Sequence, residues 1–103
     1  MPLDFLSAAK DIAHWHHEKW DGSGYPDGLA GDAIPVAARL MALADVFDAL
    51  ISARVYKPAF PYGKARDIIV EGREKHFDPA VCDAFLAHFD DFVAIAERYR
   101  DPS

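Results

Sequence analysis

Residues 16–57 read HHEKWDGSGYPDGLAGDAIPVAARLMALADVFDALISARVYK, and this stretch decides the fold. Its first part, Asp21 to Pro35, holds four of the six glycines, so it is a loop of several glycine-permitted turns. Tyr25, Leu29 and Ile34 anchor it, which distinguishes it from a flexible linker. A long loop of this kind inside a small domain more often serves function than connection. Its second part, Val36 to Tyr56, opens after Pro35 and is apolar on nearly every side, the pattern of a central, buried helix.

Working outward, Leu3, Leu6, Ala9, Ile12, Ala13 and His16 recur at helical spacing, and the spacing predicts a helix from Leu3 to Trp20 with Pro2 in its first turn. Two prolines break the chain between Lys57 and Pro61. A third helix fits Tyr62 to Lys75, with Ala65, Ile68, Ile69 and Gly72 on one side. Asp78–Pro79 is a start signal, with Asp as cap and Pro in the first helical position. A fourth helix then runs towards Arg100 with a bend near Asp90. Along it Phe85, Phe89, Phe92, Ala96 and Tyr99 form a seam that suits packing on the core, with a dimer contact as the alternative. No strand pattern appears, so the expected class is all-α, about four helices with the long loop between the first two.

The chain has 103 residues, 51% of them hydrophobic and 27% charged, which fits one small globular domain over 1–103. A net charge of −6 argues against nucleic-acid polymers as partners and leaves room for one small anion held locally. Cys82 is the single cysteine; it cannot form an intramolecular disulfide and reads as a small buried residue. No segment reaches membrane-spanning length and the first residues do not form a signal peptide, so the expected location is the cytoplasm.

Three groups of residues could carry chemistry. His16 and His17 are adjacent and, on a helix, point about 100° apart, which suits two metals or the edges of one cluster; a merely hydrogen-bonded pair is the plainer reading. His14 is assigned no role. Asp45 and Asp48 are carboxylates in an apolar helix, which calls for a metal, a hydrogen bond or an arginine, and only one of them need face a site. Histidine with carboxylate suits Zn, Fe or Mn better than Ca or Mg. Arg54, Tyr56 and Lys57 close the same helix, as ordinary dipole partners or as a phosphate clamp.

The order of these elements resembles the HD-GYP domain signature. HHE stands at His16–Glu18, DGxGYPxGL at Asp21–Leu29, IP at Ile34–Pro35, AR at Ala38–Arg39, ADxxDAL at Ala44–Leu50 and RxYK at Arg54–Lys57, and His76–Phe77–Asp78–Pro79 resembles the FDP element. The resemblance covers about Ala8 to Phe89 and implies the C-terminal helices of an HD-type bundle. It implies a metal-dependent phosphodiesterase that cleaves cyclic di-GMP with water activated by two or three metals, commonly iron or manganese. By similarity His16, His17 and Asp45 are metal ligands, and Tyr25, Arg54 and Lys57 contact phosphates. Glu18, Asp21 and Asp48 look like supporting partners that orient imidazoles and hold the loop. The family's HD dipeptide lies upstream of HHE, and no His–Asp pair precedes His16 here. The expectation is therefore a partial metal site, weak metal binding by the lone chain, and self-association through uncovered apolar surface. The alternative implied by the family is a non-catalytic module that binds diguanylate cyclase domains through the GYP loop.

Overall fold

The computed structural model describes residues 5–53 and 58–98. Five α-helices follow one another: α1 Phe5–Trp15, α2 Val36–Ile51, α3 Tyr62–Glu71, α4 Pro79–Ala87 and α5 Phe89–Arg98. A single 3₁₀ turn, Gly31–Ala33, lies in the loop between α1 and α2. No strand occurs among the described residues, only two isolated bridges, so the all-α expectation holds. No helix is long and apolar enough to cross a membrane.

α2 packs against α1, α3 and α4 and so occupies the middle of the arrangement. Leu43 and Phe47 of α2 meet Ala65 and Ile69 of α3, Phe77 before α4, and Cys82 and Phe85 of α4. Burying one such large side chain contributes about 1.5–3 kcal/mol. Cys82 is fully buried, as its composition-based reading required. The all-round burial expected for α2 is not seen: Val36 and Leu40, one turn apart, are exposed.

Each helix boundary that differs from the expectation has a local cause. α1 stops at Trp15 rather than Trp20, because the Glu18 N–H bonds the Trp15 carbonyl in a tight turn and the Glu18 side chain swings into the following loop. α2 stops at Ile51 rather than Tyr56, because the Leu50 carbonyl accepts from the Phe60 N–H of the returning chain. Residues 54–57 lie outside the described residues. α3 stops at Glu71 rather than Lys75. There the Gly72 carbonyl collects the N–H groups of Lys75, His76 and Phe77, and Glu74 takes a left-handed φ of 69°. A Cβ on Gly72 would lie 2.7 Å from the buried Phe77 ring, so the turn and the core share one space.

Asp78 caps α4 as expected, its side chain accepting from the Ala80 N–H with Pro79 in the first position. The fourth helix is two helices: the bend expected near Asp90 is a break at His88. The break lets α5 return so that Phe89 and Phe92 both pack on Phe85, with Phe92 also edge-on to Phe47. Phe85 and Phe89 therefore serve the core, whereas Phe92 touches it yet stays partly exposed, Ile95 is exposed and Tyr99 lies outside the described residues.

Candidate metal and phosphate site

The loop between α1 and α2 is held by one carboxylate. Glu18 is almost fully buried, and its two oxygens accept the Asp27 N–H at 2.6 Å and the Leu29 N–H at 2.8 Å. Loop N–H groups that have no helix to bond are thereby satisfied, and the buried charge is distributed over two donors. From outside, Trp15 Nε1–H donates to Asp27 Oδ2 at 2.8 Å, and His14 lies 3.3 Å from the same oxygen. His14, given no role in the sequence reading, thus helps fix the loop. Hydrogen bonding by Trp15, then by His14, keeps the Asp27 carboxyl below the usual carboxylate range. Asp21 accepts from the Ser23 N–H and the Ser23 hydroxyl, a local turn that lowers its own pKa in the same way.

The loop lies close against the turn that follows α1. A Cβ on Gly24 would sit 2.4 Å from the His17 carbonyl oxygen and 2.6 Å from the Lys19 nitrogen, so only glycine fits. This approach brings Tyr25 over His17, with ring centroids 4.8 Å apart and planes within 17°. The Tyr25–Pro26 peptide is cis.

Because α1 has already ended, His16 and His17 are not splayed as neighbours on a helix would be. Their ring centroids are 3.9 Å apart, and both line one cleft of about 310 Å³. Asp45 and Tyr25 line the same cleft, as do Lys19 and His76. The geometry therefore brings together His16, His17, Asp45 and Tyr25. Asp45 and Asp48 are both exposed rather than buried in the apolar helix, but Asp48 lies off the cleft wall and has no side-chain partner among the described residues. Arg54 and Lys57 lie outside the described residues. A larger hollow of about 580 Å³ along α1, lined by Lys10, Asp11, Ala13, His14 and Trp15, lacks such a gathering of donors.

The donor chemistry matches a borderline divalent metal in kind. His16 Nδ1–H donates to the Ile12 carbonyl at 2.6 Å, so in the neutral ring the Nε2 lone pair is free to ligate. The Asp45 carboxylate has no partner among the described residues. In number the match is incomplete: among the described residues no three His, Cys, Asp or Glu side chains are grouped closely enough to hold an ion. The cleft wall offers part of a coordination sphere.

Two residues escaped the sequence reading. Arg39 was quoted only as part of a motif. Its Nε–H donates to the Ile34 carbonyl at 2.8 Å and its Nη1–H to Asp78 Oδ2 at 2.6 Å, and its guanidinium lies 6.0 Å from the Trp20 ring centroid. It joins the end of the loop to the cap of α4. His76 was quoted only as the residue before Phe77–Asp78–Pro79, and it stands in the cleft. The signal for Arg39 is a lone arginine in an apolar helix; none in the sequence marks His76.

Comparison with known proteins identifies the family. Residues 1–81 match the family model described as an HD domain. The chain is 67% identical over 97 residues to a cyclic di-GMP phosphodiesterase of Vibrio cholerae serotype O1, covering 94% of this chain and 20% of that protein. It is 47% identical over 96 residues to the 3'3'-cGAMP-specific phosphodiesterase 2 of the same organism, covering 93% of this chain and 18% of that protein. It is 40% identical over 96 residues to a cyclic di-GMP phosphodiesterase of Thermotoga maritima, covering 93% of this chain and 26% of that protein. The chain thus spans about a fifth to a quarter of the length of these relatives. A family match over most of the sequence, together with the HHE, GYP and ADxxDAL elements gathered at one cleft, shows that this chain belongs to the HD-domain family, in its HD-GYP branch.

Proposed function

We propose that this chain forms part of the catalytic site of a metal-dependent phosphodiesterase that cleaves cyclic di-GMP. The carrying observation is the convergence of His16, His17, Asp45 and Tyr25 on one cleft from separate parts of the sequence. HD-domain phosphohydrolases depend on metals, and iron or manganese suits this mixture of imidazole and carboxylate. When bound, such ions supply a Lewis acid that activates water and offsets charge on the phosphoryl oxygens.

The chain's own residues do the rest. His16, its tautomer set by the Ile12 carbonyl, and His17 present imidazole nitrogens, while Asp45 presents an oxygen. Tyr25 offers a phenol to a substrate phosphate, and the Glu18 carboxylate keeps the loop that carries it in place. By the family resemblance Arg54 and Lys57, outside the described residues, are the further phosphate contacts of this reading. Since the described donors do not by themselves gather three around a point, further ligands come from residues beyond them. The name of the relative at 67% identity favours cyclic di-GMP over 3'3'-cGAMP, whose named phosphodiesterase is 47% identical.

The test is hydrolysis of each dinucleotide with added Mn²⁺ or Fe²⁺. Weak metal-stimulated cleavage of cyclic di-GMP that is abolished in Asp45→Asn is expected, because the described donors supply only part of the coordination sphere. No turnover under any metal, with Asp45→Asn indistinguishable from wild type in metal binding, would remove the reading. Exposure of Tyr25 and Pro26 supports a second reading, docking of a diguanylate cyclase domain on the GYP loop. Metal-independent binding abolished by Tyr25→Ala would favour it. Exposed Val36 and Leu40 support association with a second copy, which light scattering at high concentration measures.

A further inference from the structure

The cleft that holds the proposed ligands has a second kind of wall. Lys19 and His76 line it too, and neither belongs to the signature that assigns roles to the others. They come from distant parts of the chain and are joined by backbone bonds. The Trp20 N–H donates to the His76 carbonyl at 3.1 Å, and the Asp21 N–H donates to the Lys75 carbonyl at 2.9 Å. The His76 N–H donates to Gly72 at 2.9 Å, so both backbone groups of this residue are committed. Its ring lies on the buried Phe77 ring, centroids 4.3 Å apart and planes within 10°.

The imidazole is therefore held firmly, yet neither ring nitrogen has a hydrogen-bond partner among the described residues. The Lys19 ammonium likewise forms no ion pair with a described residue, and the nearby Asp21 carboxylate is turned onto Ser23. A half-buried imidazole that is held in place and unpartnered, with an ammonium lining the same cleft, makes a preorganised binding contact. An ammonium cannot ligate a metal and repels one, so this wall does not extend the metal site. It attracts an anion. Burial, reinforced by the Lys19 charge and opposed by Asp21, pushes the His76 pKa below its ordinary value. A neutral imidazole there has one donor and one acceptor to offer.

We propose that Lys19 and His76 bind a phosphodiester of the cyclic dinucleotide in this cleft, Lys19 by charge and His76 by an imidazole hydrogen bond. The proposal rests on the phosphodiesterase reading above and adds two contacts to it. One side of the cleft would engage cations and the other the substrate's phosphate, so that a dinucleotide is oriented as it enters.

The 103-residue chain is titrated with cyclic di-GMP to millimolar concentration in the presence of Mg²⁺, following histidine ring, tyrosine ring and lysine Nζ-adjacent resonances by NMR. Tyr25, His76 and Lys19 signals are expected to shift with one common dissociation constant. Lys19→Met should weaken binding about 10-fold and flatten its dependence on salt, consistent with loss of one phosphate contact. His76→Ala should weaken it several-fold, and His76→Gln, which keeps a donor and an acceptor, should recover most of that loss. Circular dichroism melting of each variant separates binding from folding. If Tyr25 signals shift while His76 and Lys19 do not, and both variants bind within twofold of wild type, the added contacts are wrong and the phosphodiesterase reading survives. If no resonance moves at millimolar dinucleotide, the added contacts are overturned, while the phosphodiesterase reading stands or falls on metal-dependent turnover.

Discussion

Replacing Arg39 by alanine perturbs the junction at which the loop, α2 and α4 meet. The Arg39 side chain is 18% exposed and the Asp78 side chain 6%, so their 2.6 Å ion pair is largely shielded from water. Asp32, at 3.8 Å and fully on the surface, adds little to it. Removing one partner of a buried pair leaves the other charge uncompensated, which costs about 3–5 kcal/mol. The Ile34 carbonyl also loses its Nε–H donor, and Trp20 loses the guanidinium beside its ring. Against this, Asp78 keeps the Ala80 N–H. A net loss near the lower bound, about 3 kcal/mol, is expected. In a domain of this size that lowers Tm by about 12–24 °C. Thermal unfolding followed by circular dichroism measures it. Adding Asp78→Asn should restore about half of the loss, since asparagine can still cap α4 while carrying no charge. An Arg39→Ala protein melting within about 4 °C of wild type, which is under 1 kcal/mol, would refute the reasoning.

Glu18→Ala should expose the Asp27 and Leu29 amides to hydrogen exchange and destabilise the chain by about 1–3 kcal/mol, because two part-buried donors lose their acceptor; amide exchange rates at those two positions measure it, and unchanged protection would show the loop to be held otherwise. Below pH about 6.5 stability should fall as pH falls: burial lowers the folded His76 pKa, so the unfolded chain binds more protons in that window, and His76→Gln should flatten the slope in urea titrations. The Cys82 thiol, raised in pKa by burial, should react with a disulfide reagent only as fast as the chain unfolds, with prompt labelling in denaturant; rapid labelling of the native chain would place it at the surface instead.

Which of these features could be read from the sequence follows from how local they are. The Asp78–Pro79 start signal needs only neighbouring residues, and it stands where it was expected. The apolar run from Val36 places α2 correctly at its start, because Pro35 and the periodicity both act locally. Its end was misplaced because the Leu50 carbonyl is taken by Phe60, a partner beyond a proline-rich break that propensity cannot foresee. The same cause hid the early end of α1. Residues Lys19 and Trp20 suit a helix, yet the tertiary demand of Glu18 for the loop amides outweighs their preference. That error mattered for the site, since a helical His16–His17 pair would diverge where the real pair shares a wall. The partners of Arg39 and the place of His76 are illegible for a related reason: each gains its meaning from residues far away in sequence, although a lone arginine in an apolar helix marks Arg39 as unusual.

The bond between the Trp20 amide and the His76 carbonyl also has a bearing on the order in which this molecule acquires its parts. Contacts between distant segments form late, since closing a long loop must precede any gain from it. During synthesis the paired imidazoles, the tyrosine of the loop and the aspartate of α2 emerge early, well before the turn after α3. A nascent chain at that stage carries half a cleft, with nothing opposite to close it. The cleft wall is therefore completed only when the turn after α3 docks on the turn after α1.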